Sequence, residues 1–272
     1  MNIYSKFDLT GRVAVVTGGP GLLGAGFCQS LAEAGATVVV ADVNEKGCER
    51  LAKKLNADGL KAVGMGLDIT SKASTHELVK HVVKTQGRLD ILVNSAALDP
   101  KVDAKGAVQD NGAFESFSLD AWNQALNVNL TGTFLMTQAA VRPMLTQKSG
   151  VIINLCSIYG ISAPIQGIYQ RPEKPAQFKP VYYTVTKAGI LGLTKYLASY
   201  YAEKGIRVNA LTPGGVYNNQ DEQFVRNYSA HAILGRMANK DEMNGALLFL
   251  ASDASSYMTG SNLIVDGGWT AW

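Results

Sequence analysis

Residues 37–42 read TVVVAD, an apolar run without the polar alternation of a strand that has one wet face. Such a strand must be buried on both sides, and where runs of this kind alternate with helical patterns the chain can bury them as a parallel sheet with helices on both faces. Strands are predicted over Val13–Thr17, Thr37–Asp42, Lys61–Asp68, Ile91–Asn94, Val151–Leu155, Arg207–Leu211 and Leu263–Val265. Helices are predicted over Leu22–Ala34, Glu45–Ala57, Lys72–Gln86, Leu119–Leu145, Tyr183–Lys204 and Asp241–Ala251. The expected fold class is α/β, a single doubly wound parallel sheet. A 47% share of hydrophobic residues against 17% charged supplies a sizeable core. No linker, repeat or low-complexity run divides the chain, so residues 1–272 are expected to form one domain.

In a sheet of this kind ligands bind outside the carboxyl ends of the strands. After the first predicted strand comes Thr17-Gly18-Gly19-Pro20-Gly21-Leu22-Leu23-Gly24, in which Gly19, Gly21 and Gly24 satisfy G-x-G-x-x-G. Between a strand and a helix, that spacing allows a tight turn and presents a helix N-terminus to a pyrophosphate, the pattern of a Rossmann-type dinucleotide site. Asp42 closes the second strand 18 residues after Gly24. Its carboxylate can accept hydrogen bonds from both ribose hydroxyls of an adenosine and would repel a 2′-phosphate, so NAD is expected in preference to NADP. Asp42 is also placed to cap the next helix, and Asp68, after the third strand, either to face the adenine or to cap in turn.

Tyr183 and Lys187 stand four residues apart in a predicted helix, which brings a phenol and an ammonium onto one face. A positive neighbour stabilises a phenolate, so the pair reads as acid/base machinery. Upstream, Gly150–Ser157 (GVIINLCS) reads as a buried strand ending in the Ser157 hydroxyl. Other classes of function are disfavoured. The net charge of +3 is spread out with no Lys/Arg cluster among aromatics, against nucleic acid, and the three cysteines and three histidines lack metal-ligand spacing. No targeting segment or stretch of about 18 uncharged apolar residues is present, so a cytoplasmic protein without a membrane partner is expected.

These residues, together with NSAA (94–97), NVNL (127–130), INLCS (153–157), YTVTK (183–187), RVNALTPGG (207–215) and VDGG (265–268), make the chain resemble the short-chain dehydrogenase/reductase family over nearly its whole length. The resemblance implies that Tyr183 exchanges a proton with the substrate oxygen while hydride moves to or from a nicotinamide. It implies that Lys187 holds the nicotinamide ribose and lowers the Tyr183 pKa, that Ser157 hydrogen-bonds the reacting oxygen, and that Asn129 bends its helix and holds a water in a proton relay. It places Gly18, Gly21, Leu22 and Leu23 at the pyrophosphate, Asp42, Asp68 and Ile69 at the adenosine, and Asn94, Ala96, Pro213, Gly214 and Val216 around the rest of the cofactor. Relatives are usually homo-tetramers or homo-dimers, and Trp269 and Trp272 suit either such a contact or folding back on their own subunit.

Three departures from the family pattern bear on function. Leu22 stands where the family's cofactor loop usually has a second glycine. Ser157 and Tyr183 are separated by 26 residues, about twice the usual gap, and the extra segment, roughly 164–180, must rise beside the active-site mouth. Its Arg171, Lys174 and Lys179 can bind an anionic group on the substrate or form a solvated loop. After Pro213-Gly214 the usual Thr is absent, which leaves Asn218 and Gln220 as candidates there. The loop after the fourth strand adds Asp99 and Lys101. Two enlarged polar loops suggest a substrate rich in hydroxyls or charge, a sugar derivative, since an acyl chain or steroid would call for apolar walls. The segments DPK (99–101), NNQ (218–220), GRM (235–237) and the ending VDGGWTAW resemble oxidoreductases of flagellin-glycan and nonulosonic-acid (legionaminic-type) pathways, which implies work on a sugar phosphate or nucleotide-linked sugar. The alternatives are a 3-oxoacyl-carrier-protein reductase or general alcohol dehydrogenase, and, in another class, a catalytically silent dinucleotide-sensing protein.

Overall fold

The computed structural model describes residues 2–99, 112–171 and 175–272. Seven strands, β1 (Val13–Thr17), β2 (Thr37–Asp42), β3 (Lys61–Gly66), β4 (Ile91–Asn94), β5 (Gly150–Leu155), β6 (Ile206–Pro213) and β7 (Asn262–Val265), form one sheet in the order β3-β2-β1-β4-β5-β6-β7. Every neighbouring pair is parallel. The Rossmann-type α/β architecture expected from the buried runs is therefore the fold. The winding direction reverses between β1 and β4, which opens a crevice at the carboxyl ends of those two strands.

Alternate residues of each strand point to opposite faces, and both faces are apolar. Ala14, Val16, Val38, Val40, Ile91 and Ile153 pack into one core layer with α1 (Gly24–Glu33), α2 (Glu45–Ala57) and α8 (Asn244–Ala251). Val13, Val15, Val39, Leu92, Ile152 and Val208 pack into the other with α3 (Lys72–Gln86), α5 (Thr133–Gln147) and α6 (Val181–Tyr200). Local signals set the helix ends: Asn44 and Ser71 side chains cap α2 and α3, and Gly87, with φ 78°, closes α3 in the left-handed region.

Beyond shifts of up to four residues at other element ends, the structure departs from the expected elements in three places. β3 ends at Gly66 rather than Asp68, because Asp68 turns the chain by accepting from the backbone and hydroxyl of Thr70. The predicted helix over 119–145 is α4 (Leu119–Leu126) running into α5 through a π-helical segment, Asn127–Gly132. A helix not anticipated, α7 (Glu222–Ser229), is capped by Asp221.

One polar ladder crosses the second core layer. Asn94 Nδ2 donates to Asn154 Oδ1 (2.8 Å) and Thr137 Oγ1 (2.9 Å), and Asn154 Nδ2 donates to Thr194 Oγ1 (3.0 Å), all buried. The Asn94 side chain is therefore committed to joining β4, β5 and α5, and among the described residues it is not part of the cleft lining where the cofactor was expected to meet it. Replacing Asn154 by Ala strands buried polar groups on both sides, and its stability in urea should fall by about 2–4 kcal/mol. An unchanged midpoint would contradict the ladder's structural role.

Candidate active site

The carboxyl ends of β1, β2 and β4–β6 open into one cleft of about 660 Å³. It runs from Asp42 and Val43 past the glycine turn and Ala96 to Ser157 and Tyr183, and ends against Tyr169, Lys179 and Phe224. Ile69, Asp68, Pro213, Gly214 and Val216 line it; Lys101 and Lys174 lie outside the described residues.

At the β1 end the backbone requires its glycines. Gly18 has φ 68°, and a Cβ there would lie 2.9 Å from the Ala96 backbone. Gly21 N–H donates to Gly18 O (3.0 Å), so this amide is used inside the turn. The next two amides, Leu22 and Leu23, find no acceptor among the described residues and stand at the N-terminal end of the ten-residue α1. Free amides at a helix start, with a glycine cradle that a side chain would fill, fit a pyrophosphate, and Leu22 in place of a glycine does not close the site. Asp42 Oδ1 accepts from Asn44 N–H (2.9 Å) while Asn44 caps α2, so Asp42 remains a cleft carboxylate rather than the cap.

At the β5 end, Lys187 is buried and its ammonium donates to Leu155 O (2.9 Å), which pins α6 to the end of β5. One turn earlier in α6, Tyr183 lines the same end of the cleft as Ser157. Burial, followed by the Asp99 carboxylate, pushes the Tyr183 phenol well above its usual pKa, and the Ser157 hydroxyl opposes them. The Lys187 ammonium, expected to lower the Tyr183 pKa, is turned to the Leu155 carbonyl. Its Nζ stands 5.7 Å from the ring centroid, and burial pulls its own pKa down. Desolvating a phenolate outweighs an ammonium that is itself desolvated and turned to a carbonyl.

Asn129 is buried in the π-helical segment, where its side chain donates to Leu98 O (3.1 Å) and Thr186 Oγ1 (3.2 Å) and accepts from Leu98 N (2.7 Å). The helix at this point widens into the π-helical turn rather than continuing as a regular α-helix. Its amide is engaged by protein groups and acts on the site by fixing the loop that leads to Asp99.

Among the described residues between Ser157 and Tyr183, the segment is anchored by its apolar side chains rather than solvated throughout. Ile168 and Tyr169 are buried in a third apolar cluster with Tyr159, Phe224, Tyr228, Met237 and Trp269, against which Tyr183 packs. Tyr169 Oη donates to Tyr159 Oη (3.0 Å), and the Tyr159 and Tyr183 rings meet edge to face at 6.4 Å. The substrate end therefore has aromatic walls edged with hydroxyls, where polar loops alone were expected. Arg171 corrects its expected role as an anion binder: it makes a two-point bond to Asp221 (2.6 and 3.0 Å) and donates to Ile168 O and Gln170 O, clasping the segment to α7. Gln220 accepts from Asn218 N and donates to Val216 O, closing the loop on which both residues line the cleft. Trp269 folds back on its own chain, stacked on Tyr228 at 4.2 Å, and Trp272 Nε1 donates to His231 O while the indole stays exposed.

A family model described as enoyl-(acyl carrier protein) reductase matches residues 22–270. The chain is 32% identical to the 3-oxoacyl-[acyl-carrier-protein] reductase FabG of Aquifex aeolicus, over 97% of this chain and 99% of that protein. A short-chain type dehydrogenase/reductase from Mycobacterium marinum superposes over 100% of both chains with a TM-score of 0.86 at 32% identity. The chain belongs to the short-chain dehydrogenase/reductase family. A gluconate 5-dehydrogenase from Burkholderia cenocepacia J2315, solved with NADP and tartrate, also matches, with a TM-score of 0.86, 30% identity and 100% coverage of both chains. This short-chain dehydrogenase/reductase is thus an oxidoreductase acting on CH–OH or C=O groups.

Within it, the sequence reading missed the aromatic wall contributed by Tyr159, Phe224 and Tyr228. Its signal was present in the Asp221 cap followed by Phe224 and Tyr228 four residues apart, the marks of a short helix with one apolar face. Cys156 lines the cleft next to Ser157, but burial raises its thiol pKa, as it does for Cys28 and for Cys48, which is pushed up to about 11. Thiols held protonated and buried are poor nucleophiles. Titration of the native enzyme with a chromogenic disulfide at mildly alkaline pH should show slow reaction of all three thiols, becoming fast in denaturant. Rapid labelling of Cys156 in the native state would contradict this.

Proposed function

We propose that the chain is an NAD-dependent oxidoreductase that interconverts a secondary alcohol and a carbonyl on a polar or anionic small molecule, a sugar phosphate or nucleotide-linked sugar of surface-glycan biosynthesis. The observation that carries the reading is that Ser157, Tyr183 and the buried Lys187 line one end of a cleft whose far end presents Asp42. Likeness to a gluconate 5-dehydrogenase supports a hydroxyl-rich substrate. The segments DPK, NNQ and GRM and the VDGGWTAW ending support the glycan pathway. The protein works as one domain in the cytoplasm and as a homo-oligomer. Exposed Phe134 on α5 with Val185, Tyr196 and Tyr200 on α6 supports association through the two long helices.

Leu22 and Leu23 amides would hold the pyrophosphate, Asp42 the adenosine ribose and Lys187 the nicotinamide ribose. The bound nicotinamide supplies or takes up the hydride. In the reducing direction, the Ser157 hydroxyl donates to the carbonyl oxygen and Tyr183 Oη delivers the proton that makes it a hydroxyl. In the oxidising direction Tyr183 accepts that proton. A phenol whose pKa is raised by burial keeps its proton at neutral pH and so is ready as the donor. Pro213, Gly214 and Val216, after β6, line the cleft and would flank the nicotinamide end of a bound cofactor.

A second reading, reduction of 3-oxoacyl thioesters, is favoured by the aromatic wall and by likeness to the Aquifex aeolicus enzyme. Turnover on matched panels of sugar and acyl substrates separates the two. Tyr183→Phe should lower turnover by about a hundredfold or more while NAD still binds. Full turnover would remove Tyr183 from the proton transfer. Asp42→Ala should weaken NAD and bring the NAD and NADP values of kcat/KM together; an unaltered ratio would refute the ribose assignment.

A further inference from the structure

Two lysines line the cleft among the described residues, and they are held in opposite ways. Lys187 is turned to a backbone carbonyl at the end of β5. Lys179, at the end of the inserted segment, has a side chain only 9% exposed and places Nζ 3.9 Å from the centre of the Tyr183 ring. Gln166 holds its backbone from both sides, accepting from Lys179 N (2.9 Å) and donating to Lys179 O (3.4 Å). The carboxylate partner of this ammonium is Asp99, at 2.7 Å, whose side chain is 61% exposed.

The asymmetry of that pair is informative. A cation built into a cavity wall has lost its hydration and needs an anion, whereas a carboxylate that is mostly in water loses little on leaving. The other charged clasp of the insertion, Arg171–Asp221, has two-point geometry and further backbone bonds that fix it in place. Lys179–Asp99 has a single contact and lies on the path to Tyr183. We infer that Asp99 occupies at Lys179 the position of an anionic substituent of the substrate, so that Lys179 is the specificity-determining residue selecting hydroxy or keto compounds that bear a carboxylate or phosphate. The inference rests on the oxidoreductase reading and narrows its substrate class. The aromatic rings of Tyr159 and Tyr169 flank the carbon skeleton between the anion and the reacting carbon, and Lys179's contact with the Tyr183 face sets that anion beside the proton donor. A neutral substrate would leave the Asp99 pair intact and in its way.

The test is calorimetric binding to the NAD-loaded enzyme of anionic compounds and their neutral twins: gluconate against sorbitol, glucose 6-phosphate against glucose, and 4-hydroxycyclohexanecarboxylate against its amide. At least one anion should bind about tenfold or more tightly than its twin, the carboxylate and phosphate arms showing which group is read. Lys179→Met should erase that preference, Lys179→Arg should retain much of it, and Asp99→Asn should strengthen binding of the anion by removing its competitor. Absence of any anion preference in the native enzyme, or its survival in Lys179→Met with NAD still bound, overturns the assignment. Hydride transfer measured on the same panel keeps the two claims apart. Turnover without anion preference defeats only the Lys179 assignment, and anion preference without turnover defeats only the proposed NAD-linked conversion of this substrate class.

Discussion

The buried Lys187 ammonium and the Leu155 carbonyl at the end of β5 form the contact on which the rest of the site depends. It joins the helix that carries Tyr183 to the strand that leads to Ser157, so a phenol and a hydroxyl from distant parts of the chain meet with little freedom. A charge in that position is tolerable because it is hydrogen-bonded where the sheet opens onto the cleft. The parallel sheet supplies the opening itself, since the reversal between β1 and β4 leaves the strand ends uncovered.

Around this fixed centre the chain is built in two styles. The dinucleotide end is made of backbone: a turn that only glycines can follow, two amides without an acceptor among the described residues, and a carboxylate freed from capping by Asn44. The substrate end is made of side chains, gathered from the inserted segment, α7 and the C-terminal turn around Tyr228 and Trp269. The first style is prescribed by the cofactor's constant shape. The second varies with substrate, and here it combines aromatic faces with one lysine held close to the proton donor.

Much of this was legible before any coordinates. Continuous apolar runs gave both-sided burial, and the helix spacing of Tyr183 and Lys187 gave their common face. What the sequence concealed was partnership. Asn94 lies in a segment shared with the family, yet its amide is bonded to Thr137 and Asn154, a choice that only strand register reveals. Arg171 and Lys179 look equivalent in a basic, proline-rich stretch, but one finds Asp221 at the start of a helix that was itself overlooked, and the other finds Asp99 from the loop after β4. Nor could residue types alone show that burial would outweigh Lys187 at the Tyr183 hydroxyl.

That last balance is the centre of the account, and ultraviolet difference titration of the native enzyme against Tyr183→Phe reads it directly. The difference signal of the phenolate should appear only well above the ordinary tyrosine range in the free enzyme, and should move to lower pH when oxidised NAD adds a positive charge beside the ring. A Tyr183 that titrates like a free tyrosine and ignores NAD would contradict the claim that burial sets its proton and the cofactor releases it.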